Sequence, residues 1–364
     1  MTAVAVDSLD ALRDAVRANA RVRPVGAGTK PALSAPPRDD VTSLDVSGLR
    51  GIVEYDAAEL TLTARAGTPV AELEEALAAH GQYLPFDPPL AGAGATLGGV
   101  VASGTSGPGA FHYGTVRDFV IGVRFVDGTG ELVAGGGRVV KNAAGFDLPK
   151  LMVGSLGRLG VLAEVTLKVF PRPAASTTVA FELGGLDAAL AAIARLARGP
   201  LELDALDLEP PGRVLARIAG DADGLPARAA RLAAALDAPG ATLAPGAAAA
   251  SWRAAAELSW IPAGARAVRV ATTAREVPAL QAALVAAGAQ ARYGNAANVA
   301  WVAWPDAQPL ARLDEALGAL HLAGTALTGP PAAALLGARR GGAFAARLRA
   351  ALDPDNRFAD EETI

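Results

Sequence analysis

The sequence contains no cysteine and only three histidines, at positions 80, 112 and 321. Without cysteine, the chain cannot form disulfides, zinc–thiolate sites, thiol nucleophiles or Cys-ligated iron–sulfur clusters. The three histidines share no spacing typical of metal ligands, so we expect no metal site. Any redox chemistry in this chain would therefore require an organic cofactor held by other residues.

Excess charge of one sign and long apolar runs are also lacking. The 33 basic and 37 acidic residues give a net charge of −4, and there is no basic run, which argues against nucleic acid as a partner. No apolar stretch reaches the roughly 18 residues that a membrane-spanning helix needs. Residues 1–7 lack the positive region of an export signal, so we expect a cytoplasmic protein without a transmembrane segment.

The length of 364 residues predicts more than one domain. Glycine clusters and alternating apolar residues fill the first half, whereas the part that follows is rich in Ala and Leu at helical spacing. Two prolines within residues 169–173 mark the break. Both parts mix strands and helices, which predicts an α+β protein with one domain over residues 1–174 and a smaller α+β domain over residues 175–325.

Local patterns predict individual elements. Ser8 is a candidate N-cap for a helix over residues 8–19, and residues 22–25 form a short strand. Thr68 is predicted to cap a second helix, with Pro69 at its first position. The other predicted elements are strands over 60–66, 120–126, 131–134, 159–170, 268–272 and 299–304, a turn at 127–130 and a helix over 277–287.

A glycine-rich turn, PVGAGTKP, follows the strand of residues 22–25. Backbone N–H groups in such a turn can form a concave phosphate site, to which Lys30 could add positive charge. The motif begins like the dinucleotide fingerprint G-x-G-x-x-G, but Pro31 replaces the third glycine, which argues against a Rossmann unit. On these residues alone, a plain turn is an equally good interpretation.

Glycine is densest between Gly92 and Gly114, where it occupies eight of 23 positions. Each glycine costs roughly 0.5–1 kcal/mol relative to Ala in regular structure, and this density is tolerable where backbone must lie against a ligand. Thr96 and Ser103 add short hydrogen-bonding side chains. An ordinary surface loop is the alternative, although apolar residues such as Leu97 argue against it.

Five segments, taken in order, resemble the vanillyl-alcohol-oxidase-type flavoproteins, also called the PCMH-type FAD-binding family. They are PVGAGTK, ATLGGVVASGTSG, YGTVRDFVIG, KNAAGFDLPKLMVGS and GRLGVLAEVTLKVFPRP, between residues 20 and 173. Within the family, the resemblance is to the glycolate-oxidase group. It implies that FAD lies extended between two α+β subdomains of the first domain. The second domain would cover the flavin ring, and residues 326–364 would return to the first domain.

The resemblance also implies which residues contact FAD. The pyrophosphate would be held by Val25, Gly26, Ala27, Gly28, Thr29 and Lys30. The diphosphate, the ribityl chain and the ring system would lie over Ala95, Thr96, Leu97, Gly98, Gly99, Ala102, Ser103, Gly104, Thr105 and Gly107. Gly160 and Val161 would contact the cofactor through their main chain.

Other polar residues are interpreted against the same family. We expect noncovalent FAD, with a covalent link through His112 as the alternative. Arg117 and Asp118 are interpreted as an ion pair that orders their loop, and His80 and His321 as structural histidines. A carboxylate clamp could come from the second domain, but we interpret its candidates as solvated surface charges, and no catalytic base is assigned. Those candidates are Arg253, Arg266, Arg269 and Arg292.

The function implied by the resemblance is that of an FAD-binding subunit of a glycolate oxidase or dehydrogenase complex. Such a complex oxidises a small 2-hydroxy acid, glycolate to glyoxylate, and its partners would be a larger flavoprotein subunit and an iron–sulfur subunit. The chain would be cytoplasmic, and peripheral to the inner membrane through these partners. Two alternatives stay open: a self-sufficient FAD-dependent oxidase of another alcohol or hydroxy acid, and a flavin-free scaffold subunit.

Overall fold

The structure is a computed structural model that describes residues 3–33, 40–137, 146–329, 334–339 and 342–358. The first part of the predicted KNAAGFDLPKLMVGS segment, residues 141–145, lies outside the described residues, as does the end of the predicted C-terminal segment. Within the described residues, no helix is both long and apolar enough to cross a membrane.

A small parallel sheet opens the chain, in the strand order β1-β3-β2. Helix α1 covers it because Leu12, Ala15 and Val16 form one apolar face, and Ser8 Oγ accepts the N–H of Ala11 at the N-cap (3.2 Å). The predicted helix and first strand are confirmed. The elements are β1 (Ala3–Ala5), α1 (Leu9–Ala18), β2 (Val22–Val25) and β3 (Thr42–Asp45), with a short 3₁₀ turn at Pro31–Leu33.

A five-stranded antiparallel sheet forms the second layer of the first half, in the order β4-β5-β9-β7-β8. The Asp127 carboxylate fixes the predicted turn because it accepts the N–H groups of Thr129 (2.9 Å) and Glu131 (3.0 Å). The strands are β4 (Ile52–Asp56), β5 (Thr61–Arg65), β7 (Val120–Val126), β8 (Leu132–Gly136) and β9 (Val161–Lys168).

The strand predicted over residues 159–170 is divided in the structure. After β9, the chain pairs in another sheet, where β10 (Phe170–Pro171) lies antiparallel to β6 (Gln82–Tyr83). Val169 is the boundary, and its N–H is bonded to Leu60 O (2.8 Å). The alternation of apolar residues runs through this boundary, so it could not reveal the change of partner.

Within the described residues, five helices connect these strands, and α2 corrects a sequence-based expectation. Thr68 does not cap α2, because its hydroxyl is buried and accepts the N–H of Gly51 (2.9 Å); Pro69 occupies the N-cap without a side-chain bond. The glycine-rich segment after Thr96 forms α3, on which Leu97 and Val100 are buried, so the alternative of an ordinary surface loop is wrong. The helices are α2 (Val70–Ala78), α3 (Leu97–Ser103), α4 (Ala110–Tyr113), α5 (Val116–Phe119) and α6 (Leu148–Met152).

A nine-stranded antiparallel sheet fills the second half, in the order β14-β11-β13-β12-β16-β17-β15-β18-β19. Its strands are β11 (Ala175–Glu182), β12 (Ala205–Glu209), β13 (Arg213–Gly220), β14 (Ala241–Thr242), β15 (Arg266–Ala271), β16 (Gln290–Gly294), β17 (Val299–Trp304), β18 (Ala323–Ala326) and β19 (Leu335–Gly337). The helices are α7 (Leu186–Arg198), α8 (Leu225–Leu236), α9 (Pro245–Ala256), α10 (Val277–Ala286), α11 (Leu310–Ala319) and α12 (Gly342–Leu352).

The two faces of this sheet pack against different parts of the molecule. On β15, Val268 and Val270 join the core formed with α7, α8, α10 and α11, whereas Ala267 belongs to the core of the first half. Trp301 and Val299 on the neighbouring β17 also pack into the core of the first half. Successive residues of a strand alternate between faces, so Arg269 lies on the face directed at the first half.

A polar contact joins the two halves as well. Arg217 of β13 donates to Asp87 of the first half (Nη2–Oδ2 2.8 Å), and it lies 3.5 Å from the carboxylate of Asp204. Tyr113 of the first half donates to the same Asp204 (3.2 Å), and Trp252 packs on the guanidinium. Because these charges are largely withdrawn from water, removal of one partner would leave the others uncompensated.

The C-terminal residues contact the first half of the chain. Arg357 donates to the carbonyls of Val16 (3.1 Å) and Asn19 (2.9 Å), and Phe358 forms a parallel bridge with Val22. Residues 335–337 instead complete the nine-stranded sheet as β19. The domain limits at residues 174 and 325 stay predictions of the sequence.

Candidate functional site

Three segments of the first half converge on one elongated cavity, called the trough below. The loop of residues 26–30 leaves β2, α3 forms the floor, and residues 156–162 lead into β9. The cavity has about 1160 Å³ of free space. It is lined by Val22, Arg23, Pro24, Val25, Gly26, Ala27, Gly28, Thr29, Lys30, Leu33, Val46, Ala66, Thr96, Gly98, Gly99, Ala102, Ser103, Leu156, Gly157, Arg158, Gly160, Val161, Leu162 and Ala334.

The close approach of the 26–30 loop to α3 requires glycine. A Cβ at Gly26 would lie 2.5 Å from Thr96 Oγ1, and Thr96 is held in place because it caps α3. Gly28 has φ +67° and no neighbouring atom within 4 Å of a Cβ position, so it supplies a left-handed turn facing open space. Backbone, rather than side chain, therefore forms this wall of the trough.

The hydrogen-bonding capacity of the trough belongs to the loop and not to the helix. In α3, the N–H of Leu97 bonds Thr68 O (2.9 Å), that of Gly98 bonds Ala66 O (2.7 Å), and that of Gly99 bonds its cap. In the part of the chain that the structure describes, the N–H groups of residues 26–30 donate no hydrogen bond. Several adjacent amides without protein partners form a site suited to an anion such as a phosphate.

The charge of the lining agrees with an anionic ligand. Arg23, Lys30 and Arg158 line the trough, and no Asp or Glu is among the lining residues that the structure describes. Lys30 is only 8% exposed, and its Nζ has no hydrogen-bond partner among the described residues. Burial lowers the pKa of Lys30 from 10.5 to about 8, and Glu257 opposes this only in part. The difference corresponds to about 3 kcal/mol against the charged form.

The structure brings most of the predicted FAD contacts together in the trough. Those that line it are Val25, Gly26, Ala27, Gly28, Thr29, Lys30, Thr96, Gly98, Gly99, Ala102, Ser103, Gly160 and Val161. The others do not line it: Ala95 and Leu97 are core residues, Gly104 is the left-handed C-cap of α3, Thr105 bonds Ser103, and Gly107 bonds Phe86 O. A direct contact of any of these residues with FAD stays a prediction.

Arg117 and Asp118 do not form the expected ion pair. Asp118 accepts the N–H (2.8 Å) and the hydroxyl (3.1 Å) of Thr115 in a capping box at the start of α5. Arg117 donates to the carbonyl of Lys150, and the ammonium of Lys150 donates to the carbonyl of Arg117. Both residues order their loop, but through separate partners. His112 lies exposed on α4 beside the Tyr113 ring and is not part of the trough lining.

The four arginines of the second half differ from one another. Arg253 is exposed, as expected of a surface charge, but Arg292 pairs with Glu209 (2.9 Å) and Arg266 lies 3.5 Å from Asp306. The interpretation of these two as solvated charges is therefore wrong.

Of the four arginines, Arg269 differs most from a solvated surface charge in its burial and its lack of an ion pair among the described residues. It is half-buried, burial lowers its pKa, and among the described residues it makes no ion pair. A second cavity, open to solvent, lies beside it, with Thr325, which is its partner on β18, and the exposed His321 in the lining. An arginine withdrawn from water and facing a cavity is suited to bind a carboxylate.

Some lining residues were not predicted. Leu156, Gly157 and Arg158 precede the predicted Gly160, and the spacing of Gly154, Gly157 and Gly160 could have revealed that the whole segment bends along the trough. Ala334 could not be found from its sequence context, because only the pairing of β19 with β18 brings it there. Among the described residues, no group of three His, Asp or Glu side chains could hold a metal ion.

Residues 4–136 match the family described as FAD binding domain. The matched residues are therefore an FAD-binding domain of the PCMH type, for which FAD is the cofactor. The match includes two of the three trough segments, the 26–30 loop and α3.

Particular relatives share this half of the chain. The glycolate oxidase subunit GlcE of Escherichia coli (strain K12) is 49% identical over 164 residues, which are 45% of this chain and 47% of that protein. The glycolate oxidase subunit GlcD of Bacillus subtilis (strain 168) is 32% identical over 166 residues, 46% of this chain and 35% of that protein. The mitochondrial D-lactate dehydrogenase [cytochrome] 1 of Saccharomyces cerevisiae is 33% identical over 170 residues, 46% of this chain and 28% of that protein. The matches thus span less than half of each relative.

Among solved structures, alkyldihydroxyacetonephosphate synthase has the same fold. It aligns with a TM-score of 0.74 over 99% of this chain and 76% of that chain, at 16% sequence identity. At this identity, the likeness concerns the fold alone.

Gly26→Ala should weaken FAD binding by about five- to 150-fold, because the added methyl would push the 26–30 loop away from Thr96 at a cost of about 1–3 kcal/mol. The measurement is FAD affinity by fluorescence titration of the cofactor-free protein. Gly246→Ala is the matched control, because a Cβ at Gly246 meets no atom within 4 Å. Equal affinities of the two variants would contradict this account of the loop.

Lys30→Met should raise the free energy of unfolding of the cofactor-free protein by about 1–3 kcal/mol at pH 7, because it removes a desolvated charge. The folded-state pKa of Lys30, about 8, lies below its ordinary value of 10.5. The destabilisation is therefore complete below pH 8 and disappears as the pH approaches 10.5. Urea unfolding at pH 7 and pH 10 should show the difference between wild type and variant shrinking, and an equal difference at both pH values would contradict this account of Lys30.

Proposed function

We propose that this chain is the FAD-binding subunit of a glycolate oxidase-type complex, which oxidises a small 2-hydroxy acid such as glycolate and passes the electrons to a partner. The observation that carries the proposal is the trough itself. Amides of residues 26–30 without protein partners and the buried ammonium of Lys30 face one elongated cavity inside an FAD binding domain. Relatives named as glycolate oxidase subunits share this half of the chain.

The residues present suit noncovalent FAD. The unused amides can donate to the diphosphate, the cations of the lining can balance its charge, and Gly98 and Gly99 let an extended ligand lie close to α3. Bound FAD would supply the chemistry of hydride acceptance from a C–H bond. The role of the chain is to hold and orient the cofactor and to set the charge around it.

Arg269 supports an anionic substrate in this proposal. A 2-hydroxy acid carries a carboxylate, and Arg269 lies half-buried on the sheet face directed at the FAD-binding half, beside the cavity that Thr325 and His321 line. A guanidinium with no ion-pair partner among the described residues can bind a carboxylate through two parallel hydrogen bonds. We assign Arg269 as the candidate carboxylate-binding residue of the second half.

The partner subunits follow from what the chain cannot supply. Without cysteine, it cannot build a Cys-ligated iron–sulfur cluster, so electrons would leave through another protein. We propose a larger flavoprotein subunit and an iron–sulfur subunit as partners, and a cytoplasmic complex that reaches the inner membrane only through them. Two relatives are named as subunits of glycolate oxidase, which supports a complex for this chain.

The purified chain should show the absorption bands of bound flavin, and coexpression with the two candidate partners should be required for glycolate oxidation with a dye acceptor. The reason is that FAD binding resides in this chain while the electron exit does not. Full activity of the chain alone would indicate the self-sufficient oxidase, and the absence of flavin at saturating FAD would indicate the scaffold. Either result would contradict the proposal.

Arg269→Met should raise the KM for glycolate in the assembled complex by about tenfold or more, because a charge-assisted hydrogen bond contributes about 1.5–3 kcal/mol. Its flavin content should stay that of the wild type, since Arg269 lies outside the trough lining. Arg253→Met, which removes an exposed arginine of α9, is the matched control. An unchanged KM in Arg269→Met would exclude this residue from substrate binding.

A further inference from the structure

We propose that Lys30 couples cofactor binding to proton uptake: its ammonium neutralises an anionic group of FAD in the trough, and binding of the cofactor fixes a proton on this side chain. The inference rests on the proposed function in so far as FAD must occupy the trough. It goes beyond that function because it assigns a change of protonation, and hence a pH dependence of affinity, to one named side chain.

The backbone holds Lys30 in place. It ends the 26–30 loop and is followed at once by the 3₁₀ turn Pro31–Leu33. That turn is anchored on the second half, because the N–H of Ala32 donates to Leu327 O (3.2 Å) and Ala32 is buried in the core of that half. A side chain fixed at both ends of its segment, and 92% buried, cannot reach water without movement of the turn.

Few charges act on the ammonium of Lys30. Glu257, at the end of α9, attracts it, but the carboxylate of Glu257 already accepts the N–H of Gly92 (2.8 Å). Arg23 and Arg158 share the trough lining and add positive charge, and Arg23 donates to Ser43 Oγ (2.8 Å). The turn of residues 31–33 and the described residues 327–329 and 334 carry no titratable side chain.

Burial therefore dominates, and the pKa of Lys30 in the cofactor-free protein is about 8. At pH 8, roughly half of the molecules would hold the proton, and at pH 6.5 nearly all would. An anionic group of FAD close to Nζ favours the charged form and restores the pKa towards its ordinary value. Binding at pH 8 would then take up about half a proton, whereas binding at pH 6.5 would take up almost none.

The test is calorimetric titration of FAD into the cofactor-free full-length protein at pH 6.5 and pH 8, each in two buffers of different ionisation enthalpy. The dependence of the observed heat on the buffer gives the number of protons taken up. We expect about half a proton at pH 8 and close to none at pH 6.5. The wild-type affinity should fall as the pH rises from 8 to 9.5.

Three variants make the test specific. Lys30→Met should abolish proton uptake and make the affinity for FAD independent of pH between 8 and 9.5. Lys30→Arg keeps a cation that does not titrate in this range, so it should bind FAD without proton uptake even if the methionine variant folds poorly. Lys168→Met should behave as the wild type. A repeat with ADP, which carries the diphosphate without the flavin, identifies the group that Lys30 meets.

The outcomes separate this inference from the proposed function. If FAD binds and the wild type takes up no more protons at pH 8 than Lys30→Arg, the inference on Lys30 is wrong while the cofactor assignment stands. If no FAD binds at either pH, the proposed function fails. Proton uptake with FAD but not with ADP would assign the contact to the flavin rather than to the diphosphate.

Discussion

The candidate site depends on the backbone N–H groups of residues 26–30, which donate no hydrogen bond to other described protein groups. Amides withdrawn from water are normally bonded, since an unpaired buried N–H destabilises the fold. Residues 26–30 escape this constraint by facing an open trough, while the amides that start α3 are satisfied by Ala66, Thr68 and Thr96. An anion bound at the loop and at Lys30 would satisfy these groups, and the stability of this region would then depend on its ligand.

The surrounding fold serves this geometry. The parallel β1-β3-β2 sheet ends at the 26–30 loop, residues 156–162 lead into β9 of the five-stranded sheet, and α3 packs on that sheet through Leu97 and Val100. The nine-stranded sheet then covers the first half by two kinds of contact. Trp301 and Val299 pack into the apolar core of the first half, and Arg217 binds Asp87. The trough therefore combines the 26–30 loop, α3 and residues 156–162, which belong to different sheets and their connections.

Much of this arrangement could be predicted from the sequence because it depends on local patterns. Alternating apolar residues predict β5 and β7, Ser8 predicts the start of α1, and the glycines of the 26–30 loop predict backbone exposed to a ligand, which agrees with their place in the trough wall. Features that depend on a distant partner were missed. Thr68 bonds Gly51 instead of capping α2, Arg117 bonds Lys150 instead of Asp118, and Arg269 is half-buried through the pairing of β15 with its neighbours.

Helix α3 is a second case in which local sequence patterns do not reveal the structure. The density of glycine in this segment predicts backbone that lies against a ligand, and it gives no sign of a helix. In the structure, Thr96 caps it, and a Cβ at Gly98 would lie 2.8 Å from that of Ala66. Glycine is required at this position because α3 packs closely on Ala66, directly after β5, and only the tertiary structure shows this contact. Gly98 and Gly99 also line the trough.

The most direct test of the central claim is an experimental structure of the FAD-loaded chain. The account predicts phosphate oxygens within about 3 Å of the backbone nitrogens of the 26–30 loop, with Lys30 in the same shell of contacts. A diphosphate bound elsewhere, with the 26–30 amides turned to solvent or to other protein groups, would contradict it.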